Sequence, residues 1–592
     1  MKIQGAFLEK LFFRLKETNF AFLLYALLVV LIFAIGLLCA VPPISKDALI
    51  HHLAVPKLYL NHGGMYEIPS MVYSYYPMNL QMLYMAALYF GSDIAPKFIH
   101  FSFALLTAGL IFGYLKQRLS SFYGLIGAVF FLSIPVVVKL SITAYIDLGL
   151  ISFSTASILL IFKWVESGFR QRHLVFSAVF CGLAMGTKYN GLVVCCILTL
   201  FVPFVYSRFN INRHFAGFKA VRSGFVFLVI ALIVFSPWAI RNWYWTGNPI
   251  YPLYNDIFSQ ARTAIEKLTK SSKPDTPAPI AESANAAPKF RSPGPIAYRS
   301  EIYNETPWEI ALLPVRVFFQ GKDGDPQYFD GKLNLFLLIL PFFAFWKKGR
   351  LDSVHRWEIK ALAWFSALFF LIALFTTGMR VRYIAPIIPP LVILSVFGLH
   401  NIRERIQAII DRWKKLVAKA CLGGAVFACL VYNAAYLKEQ YRYVQPLYYL
   451  SGNVSRYEYI SKYRFEYPAM RYINENLPSD SKILFFFMGK RGYYCDREYV
   501  PESQSQLLRF IQEGKTPEDI FNEYRSMKAT HLLVHRDLFV KWANEVFNAD
   551  QIQTLNAFTR HYLDMQFSAN GVDLLVFKAS GVNISIPEDR KD

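Results

Sequence analysis

The feature that most constrains this chain is the recurrence of long, uncharged apolar runs. Phe20 to Ile44 carries no charged residue, and a helix of roughly 20 such residues spans a bilayer core. Candidate helices of this kind fall at 20–41, 97–115, 122–138, 144–162, 173–187, 190–207, 223–239, 330–346, 359–378, 383–399 and 416–434. The expected fold is therefore a polytopic α-helical membrane protein with about eleven transmembrane helices. Composition agrees: of 592 residues, 55% are apolar and only 17% charged, against about 25% charged in soluble proteins. The N-terminal run is too long for a signal peptide core.

A net charge of +21 would suggest nucleic acid in a soluble protein. Here the basic residues cluster between apolar runs: Lys116 and Arg118; Lys163, Arg170 and Arg172; Arg208, Arg213, Lys219 and Arg222; Lys347, Lys348 and Arg350; Arg403 through Lys419. The positive-inside rule produces that pattern. It predicts a multi-pass protein of the cytoplasmic membrane with its N-terminus cytoplasmic and its C-terminus periplasmic or extracellular, and no nucleic-acid partner. Of the seven cysteines, six sit in apolar runs and Cys495 stands alone. No disulfide framework or zinc spacing is present.

The expected organisation is a transmembrane domain over 1–439, with outer loops 42–96 and 240–329, and a soluble α/β domain over 440–592. The first loop reads as helices lying at the interface. The stretch 271–297 is rich in Ser, Pro and Ala and reads as a mobile linker. In the C-terminal domain, 482–488, 531–534 and 572–577 read as strands and 516–528 as a helix capped by Thr516.

Ionisable residues at the outer ends of helices are functional candidates, because burying charge there is costly. Asp47 follows the first helix in KDALIHH, and on a helix over 46–60 it shares a face with His51. It reads as a general base or as a carboxylate favouring a helix N-terminus. Asp147, the one acidic residue between Asp93 and Glu166, opens the fourth helix. Two carboxylates on one rim suit acid/base or metal-assisted chemistry. Lys188 lies in a Gly-flanked turn, and Arg380 and Arg382 break the positive-inside rule. Together they suit a phosphate at the headgroup level. Arg241 ends the seventh helix among aromatics that read as an interfacial belt. Tyr73, Tyr75 and Tyr76 suit sugar stacking or anchoring. His51 and His52, being adjacent, are expected to point apart and make no metal spacing. Sequons at Asn304, Asn453 and Asn583 matter only where glycosylation occurs. The HRD at 535–537 lacks the rest of a kinase signature.

Taken in order, these segments resemble the GT-C class of polyprenyl-phosphate-sugar-dependent membrane glycosyltransferases, which includes the protein O-mannosyltransferases and the aminoarabinose transferases. The resemblance covers about residues 20–435. It rests on KDALIHH, YYPMNLQMLYMAALYFG, AYIDLGL, GLAMGTKYNGL, the PW…RN…GNPIYP segment and RYIAPIIP. It implies a GT-C-like fold in which a sugar passes from a lipid phosphate to an acceptor hydroxyl at the outer membrane face, with inversion. Asp47 would be the catalytic base and Asp147 the second acidic residue. Lys188 and Arg382 would contact the donor phosphate. The aminoarabinose transferases place a Lys just before the Pro of the interfacial stretch. Here Tyr75-Tyr76-Pro77 has none, so phosphate binding would lean on Lys188, Arg380, Arg382 or Lys57. His51, His52, Tyr75, Tyr76 and Arg241 are further substrate-binding candidates. The acceptor (lipid, glycan or protein) and the sugar are not specified. No cofactor is firmly implied, and a divalent cation stays open. The competing class is a transporter or flippase of a phosphate-bearing lipid, which needs the cations but no base. A third is a membrane-anchored binding protein, which leaves the outer-rim charges unexplained.

Overall fold

The computed structural model describes residues 2–210, 216–269, 294–346, 353–376 and 378–578. It divides into a larger unit, 1–41, 75–84 and 94–447, and a smaller one, 42–74, 85–93 and 448–592. The smaller unit thus takes most of the segment 42–96 as well as the C-terminal region. Asn583 and residues 271–293 of the linker lie outside the described residues, as do Arg213, Lys347, Lys348 and Arg350.

Among the described residues, eight helices of the larger unit are long and apolar enough to span a membrane: Phe20–Cys39, Ala95–Arg118, Asp147–Glu166, Asn190–Phe209, Gly217–Thr246, Arg356–Thr376, Ala385–Gln407 and Arg412–Val444. Phe22, Leu23, Val30 and Phe33 of the first are exposed, as a lipid-facing helix requires. The three other expected helices differ. The run 122–138 is a bent pair, Ser121–Ser133 and Pro135–Ser141, turned by 67°. Pro135 disfavours helical geometry in the residue before it, and Ile134 sits at φ −58°, ψ 131°. Counted as one span, the pair brings the total to nine. The run 173–187 is the 15-residue helix Gln171–Met185, about 22 Å long at 1.5 Å per residue. It packs between Asp147–Glu166 and Gly217–Thr246. Small groups permit the close approach: a Cβ on Gly182 would stand 2.6 Å from the Ala231 carbonyl, and the hydroxyls of Ser157 and Ser177 lie 3.1 Å apart. The run 330–346 contributes only Phe336–Phe343, with Pro341 inside it.

The smaller unit is built on a mixed five-stranded sheet: β1 (Lys482–Phe486), β2 (Glu498–Val500), β3 (His531–His535), β4 (Leu563–Ala569) and β5 (Val572–Phe577), in spatial order β2-β1-β3-β5-β4. β1 pairs parallel with β2 and β3. β5 pairs antiparallel with β3 and β4. Apolar clusters cover both faces. One gathers Leu484, Phe486, Phe510 and Tyr524; the other gathers Ile483, Phe485, Met470 and Ile473. β1 and β3 are buried on both sides and so read as continuous apolar runs. The helix Pro517–Ser526 has Thr516 as N-cap in a reciprocal capping box with Asp519, as its sequence predicts.

Residues 42–74 are stitched into this unit. The Tyr493 amide donates to the Leu49 carbonyl at 3.2 Å, the Tyr494 hydroxyl to the Pro43 carbonyl at 2.8 Å, and Arg464 to the Ile44 carbonyl. The expected helix over 46–60 is divided. Ala48–His52 forms a π-turn closed by Leu53 N–H to Ala48 O at 2.9 Å, and Ala54–His62 is α-helical. The α-helix stops at Gly63, where φ of +78° suits glycine.

Candidate functional site

In the larger unit the site is assembled from segments that lie far apart in sequence. Asp147 heads the helix Asp147–Glu166 and is 1% exposed. Its first-turn amides are among those a helix leaves without internal partners. His100 supplies one: its Nε2 accepts from the Leu148 N–H at 3.0 Å. Its Nδ1 faces the carbonyls of Leu140 and Thr143, both at 2.9 Å. An amide can only donate and a carbonyl only accept, so the proton sits on Nδ1 and the ring is neutral. His100 thus holds the start of the Asp147 helix.

The carboxylate of Asp147 receives the Lys188 ammonium at 2.6 Å. Lys188 also lies 4.8 Å from the Tyr383 ring centre. The Arg382 guanidinium stands 5.3 Å from that ring and 5.5 Å from Tyr145, within electrostatic reach of Asp147. Both cations therefore share one aromatic partner, in the range of cation–π contacts. Asn190 donates to the Tyr383 carbonyl at 3.1 Å, and the Tyr84 hydroxyl donates to the Tyr145 carbonyl. The segments AYIDLGL, GTKYN and RYIAP thus meet at one place.

A second network seats the interfacial stretch. Arg241 donates to the Tyr76 carbonyl at 3.0 Å and to Oδ1 of Asn242. It lies between Trp238 and Trp245, about 5 Å from each. Asn242 donates to the Tyr75 carbonyl at 2.8 Å. Asn79 donates to the Leu183 carbonyl and accepts from the Trp238 indole. A Cβ on Gly186 would stand 2.4 Å from Nδ2 of Asn79, so a larger residue there would push Asn79 out of its place. Tyr75 and Tyr76 enter this network through backbone carbonyls, Tyr75 held by Asn242 and Tyr76 by Arg241.

Arg380 does not join Lys188 and Arg382. Its guanidinium is 3.6 Å from Asp330, which also pairs with Lys139 at 3.1 Å. Lys139 reaches Asp323 at 3.3 Å, and the Tyr436 hydroxyl donates to Asp323. The sequence reading missed this cluster, because Asp323 and Asp330 sit in an ordinary-looking polar loop. It weighed His100 only as a metal ligand, without a metal spacing, and passed over Asn190, although a polar residue in an apolar run is a signal in itself.

In the smaller unit Asp47 heads the π-turn and makes no capping hydrogen bond through its side chain. His51 and His52 are buried with ring centres 4.0 Å apart, closer than adjacent helical residues are expected to be. The i→i+5 closure of a π-turn alters the facing of its side chains. His51 stacks on Tyr73 at 4.4 Å. Lys57 donates to the carbonyls of Tyr493 (2.7 Å) and Cys495 (3.3 Å) and pairs with Asp496. It is bound to the C-terminal domain of its own unit. Among the described residues no group of three or more His, Cys, Asp or Glu side chains is placed to hold a metal ion.

Residues 80–243 match the family described as dolichyl-phosphate-mannose-protein mannosyltransferase. No curated protein matches the sequence. Among solved structures, ArnT from Cupriavidus metallidurans bound to undecaprenyl phosphate is similar with a TM-score of 0.52. Identity is 13%, over 95% of this chain and 99% of that one. The oligosaccharyltransferase of Archaeoglobus fulgidus in its apo form also gives 0.52, at 11% identity, over 96% of this chain and 75% of that one. The same enzyme tethered to an acceptor peptide gives 0.51, at 10% identity, over 94% and 74%. At such identities these likenesses speak for the fold.

Proposed function

We propose that this chain is a membrane glycosyltransferase of the GT-C class, which uses polyprenyl-phosphate-linked sugars, and that it moves a sugar from a polyprenyl-phosphate carrier to an acceptor hydroxyl at the outer membrane face; the family match over residues 80–243 and the shared fold support that reading. The observation that carries the reading is the convergence of Lys188 and Arg382 on Tyr383 beside Asp147. Two fixed cations on one aromatic platform suit a phosphate monoester. The similar ArnT structure holds undecaprenyl phosphate, a ligand of that chemistry.

In this mechanism the acceptor oxygen forms a bond to C1 of the sugar as the bond from C1 to the phosphate oxygen breaks. The electron pair leaves on the phosphate, where Lys188 and Arg382 stabilise it by preorganised charge. Asp47 takes the acceptor proton, a contribution of roughly 10²–10⁴-fold. One direct displacement inverts the anomeric centre. Asp147 is a positioning residue that orients Lys188. The smaller unit then lies outside the cytoplasm and the N-terminus inside, as the basic loops suggest.

The test is to incubate the purified protein with radiolabelled polyprenyl-phosphate sugars and candidate lipid, glycan and peptide acceptors. Transfer of label to an acceptor is expected. Movement of a lipid phosphate across vesicle membranes without any transfer would overturn this reading in favour of a transporter.

A further inference from the structure

Within the smaller unit an open cleft of about 210 Å³ is lined by residues from five separate segments. The helix Tyr467–Asn476 supplies Tyr467, Arg471 and Asn474, spaced i, i+4, i+7 and therefore on one face. Facing them are Lys57, the pair Asp93 and Arg456, and the segment Tyr493–Asp496. None of these residues enters the mechanism above.

The charges in this cleft are matched. Lys57 pairs with Asp496 and Arg456 with Asp93. Arg471 reaches Glu475 at 2.6 Å. Every lining cation thus has a carboxylate partner, and no excess positive charge is left to grip a phosphate. What remains is a dense set of charged donors and acceptors around tyrosine rings. Tyr467 and Tyr494 meet edge to face at 4.9 Å, and Tyr493 lies 5.0 Å from Tyr494. A saccharide ring has that complementary chemistry. Its hydroxyls both donate and accept, so they satisfy guanidinium and carboxylate together through charge-assisted hydrogen bonds. Its C–H face packs on the apolar body of a tyrosine. The volume lies below the roughly 300–1,000 Å³ of sites for drug-sized ligands, so the cleft suits one sugar ring and not a longer glycan segment.

We propose that this cleft binds a single neutral sugar ring and is the subsite through which the protein recognises a glycan acceptor. The acceptor role rests on the transferase reading; the binding of sugar does not.

The experiment is saturation-transfer NMR and calorimetry on the full-length protein in detergent. The probes are free neutral hexoses, a hexuronic acid and inorganic phosphate. At least one neutral hexose is expected to bind with a Kd on the order of 1 mM. Arg471→Ala and Asp496→Asn change exposed or half-exposed side chains and so preserve the fold. Each is expected to weaken binding about tenfold or more, with the unfolding temperature unchanged. Absence of hexose binding, variants that bind like the wild type, or phosphate bound in preference to sugar would each overturn the proposal. Sugar binding without label transfer would overturn the transferase reading alone. Label transfer to a glycan without binding here would overturn the cleft alone.

Discussion

Lys188 donates to Asp147 across 2.6 Å, and the two residues are 41 positions apart in the chain. The carboxylate is almost wholly buried and the lysine side chain 14% exposed. Removing one partner of such a pair leaves the other charge buried alone, at about 3–5 kcal/mol in a fully buried site. The partial exposure of Lys188 puts the cost toward the low end. Asp147→Asn and Lys188→Met are each expected to lower the unfolding temperature in detergent. The double variant is expected to recover much of that loss without regaining donor binding. A double variant no more stable than the singles would show that the pair does not act as a unit.

Arg380 and Arg382 are two residues apart, yet their guanidinium groups go to different partners. Arg382 stacks near Tyr145 and Tyr383, whereas Arg380 pairs with Asp330. Arg382→Ala is therefore expected to weaken binding of polyprenyl phosphate by about tenfold or more, the scale of a charge-assisted contact. Arg382→Lys is expected to recover only part, since an ammonium lacks the planar fork. Arg380→Ala is expected to leave that affinity close to wild type. Equal losses in both alanine variants, measured by titration with the lipid phosphate, would refute the division of roles.

The contrast marks how far the sequence could be read. The place of Asp147, Lys188 and Arg382 at or near the starts of apolar helices was legible from apolar runs and charge. Their partners were not, because periodicity within a helix carries no information on which distant turn it meets. The break at Ile134 was signalled by Pro135, whereas the shortness of Gln171–Met185 was masked by apolar residues beyond its end. In the smaller unit β1, β3 and β5 were legible as apolar runs. β2 has only three residues, and β4 is a half-exposed edge strand, so neither gave a strong pattern. The π-turn at Ala48–His52 had no sequence signal.

His100 satisfies one amide and two carbonyls at the head of the Asp147 helix. His100→Ala leaves buried polar groups without that partner, at about 1–3 kcal/mol each for groups that water cannot reach. Lower thermal stability is expected together with reduced donor affinity, because Asp147 and Lys188 lose their fixed position. His100→Gln, which offers a donor and an acceptor, is expected to recover part of both. A stable His100→Ala protein with wild-type affinity would remove His100 from the support of the site.

Asp573 gives the smaller unit a defined acid sensitivity. Burial opposes its ionisation, but hydrogen bonds from Arg536 and Ser568 and the Arg536 charge outweigh burial and hold it below the usual carboxylate range. Arg536 donates to both carboxylate oxygens, at 2.7 and 2.5 Å. A group with a lowered folded pKa stabilises the fold above its unfolded pKa. That contribution fades as pH falls through the folded value. It is thus expected to be constant between pH 5 and 8 and to diminish below about pH 4, the ordinary aspartate range. Arg536→Ala is expected to destabilise at pH 7 and to flatten the acid limb in unfolding curves followed by β-sheet circular dichroism. An unchanged acid limb would show that the pair does not govern it.

Asp47 separates a catalytic group from a structural one. It precedes the π-turn Ala48–His52 and makes no capping hydrogen bond through its side chain; the dipole contribution of a carboxylate at such a position is typically 0.3–1 kcal/mol. Asn matches Asp in size and caps as well, but it cannot take a proton from the acceptor. Asp47→Asn is therefore expected to fold normally and to bind polyprenyl phosphate with near wild-type affinity. Its transfer rate is expected to fall by about two orders of magnitude or more, the scale of general-base catalysis. Asp147→Asn is expected to show the opposite division, losing donor affinity and stability along with rate. Single-turnover transfer from a labelled donor, compared with donor affinity measured on the same preparations, resolves the two patterns. Wild-type turnover in Asp47→Asn would take the base away from Asp47.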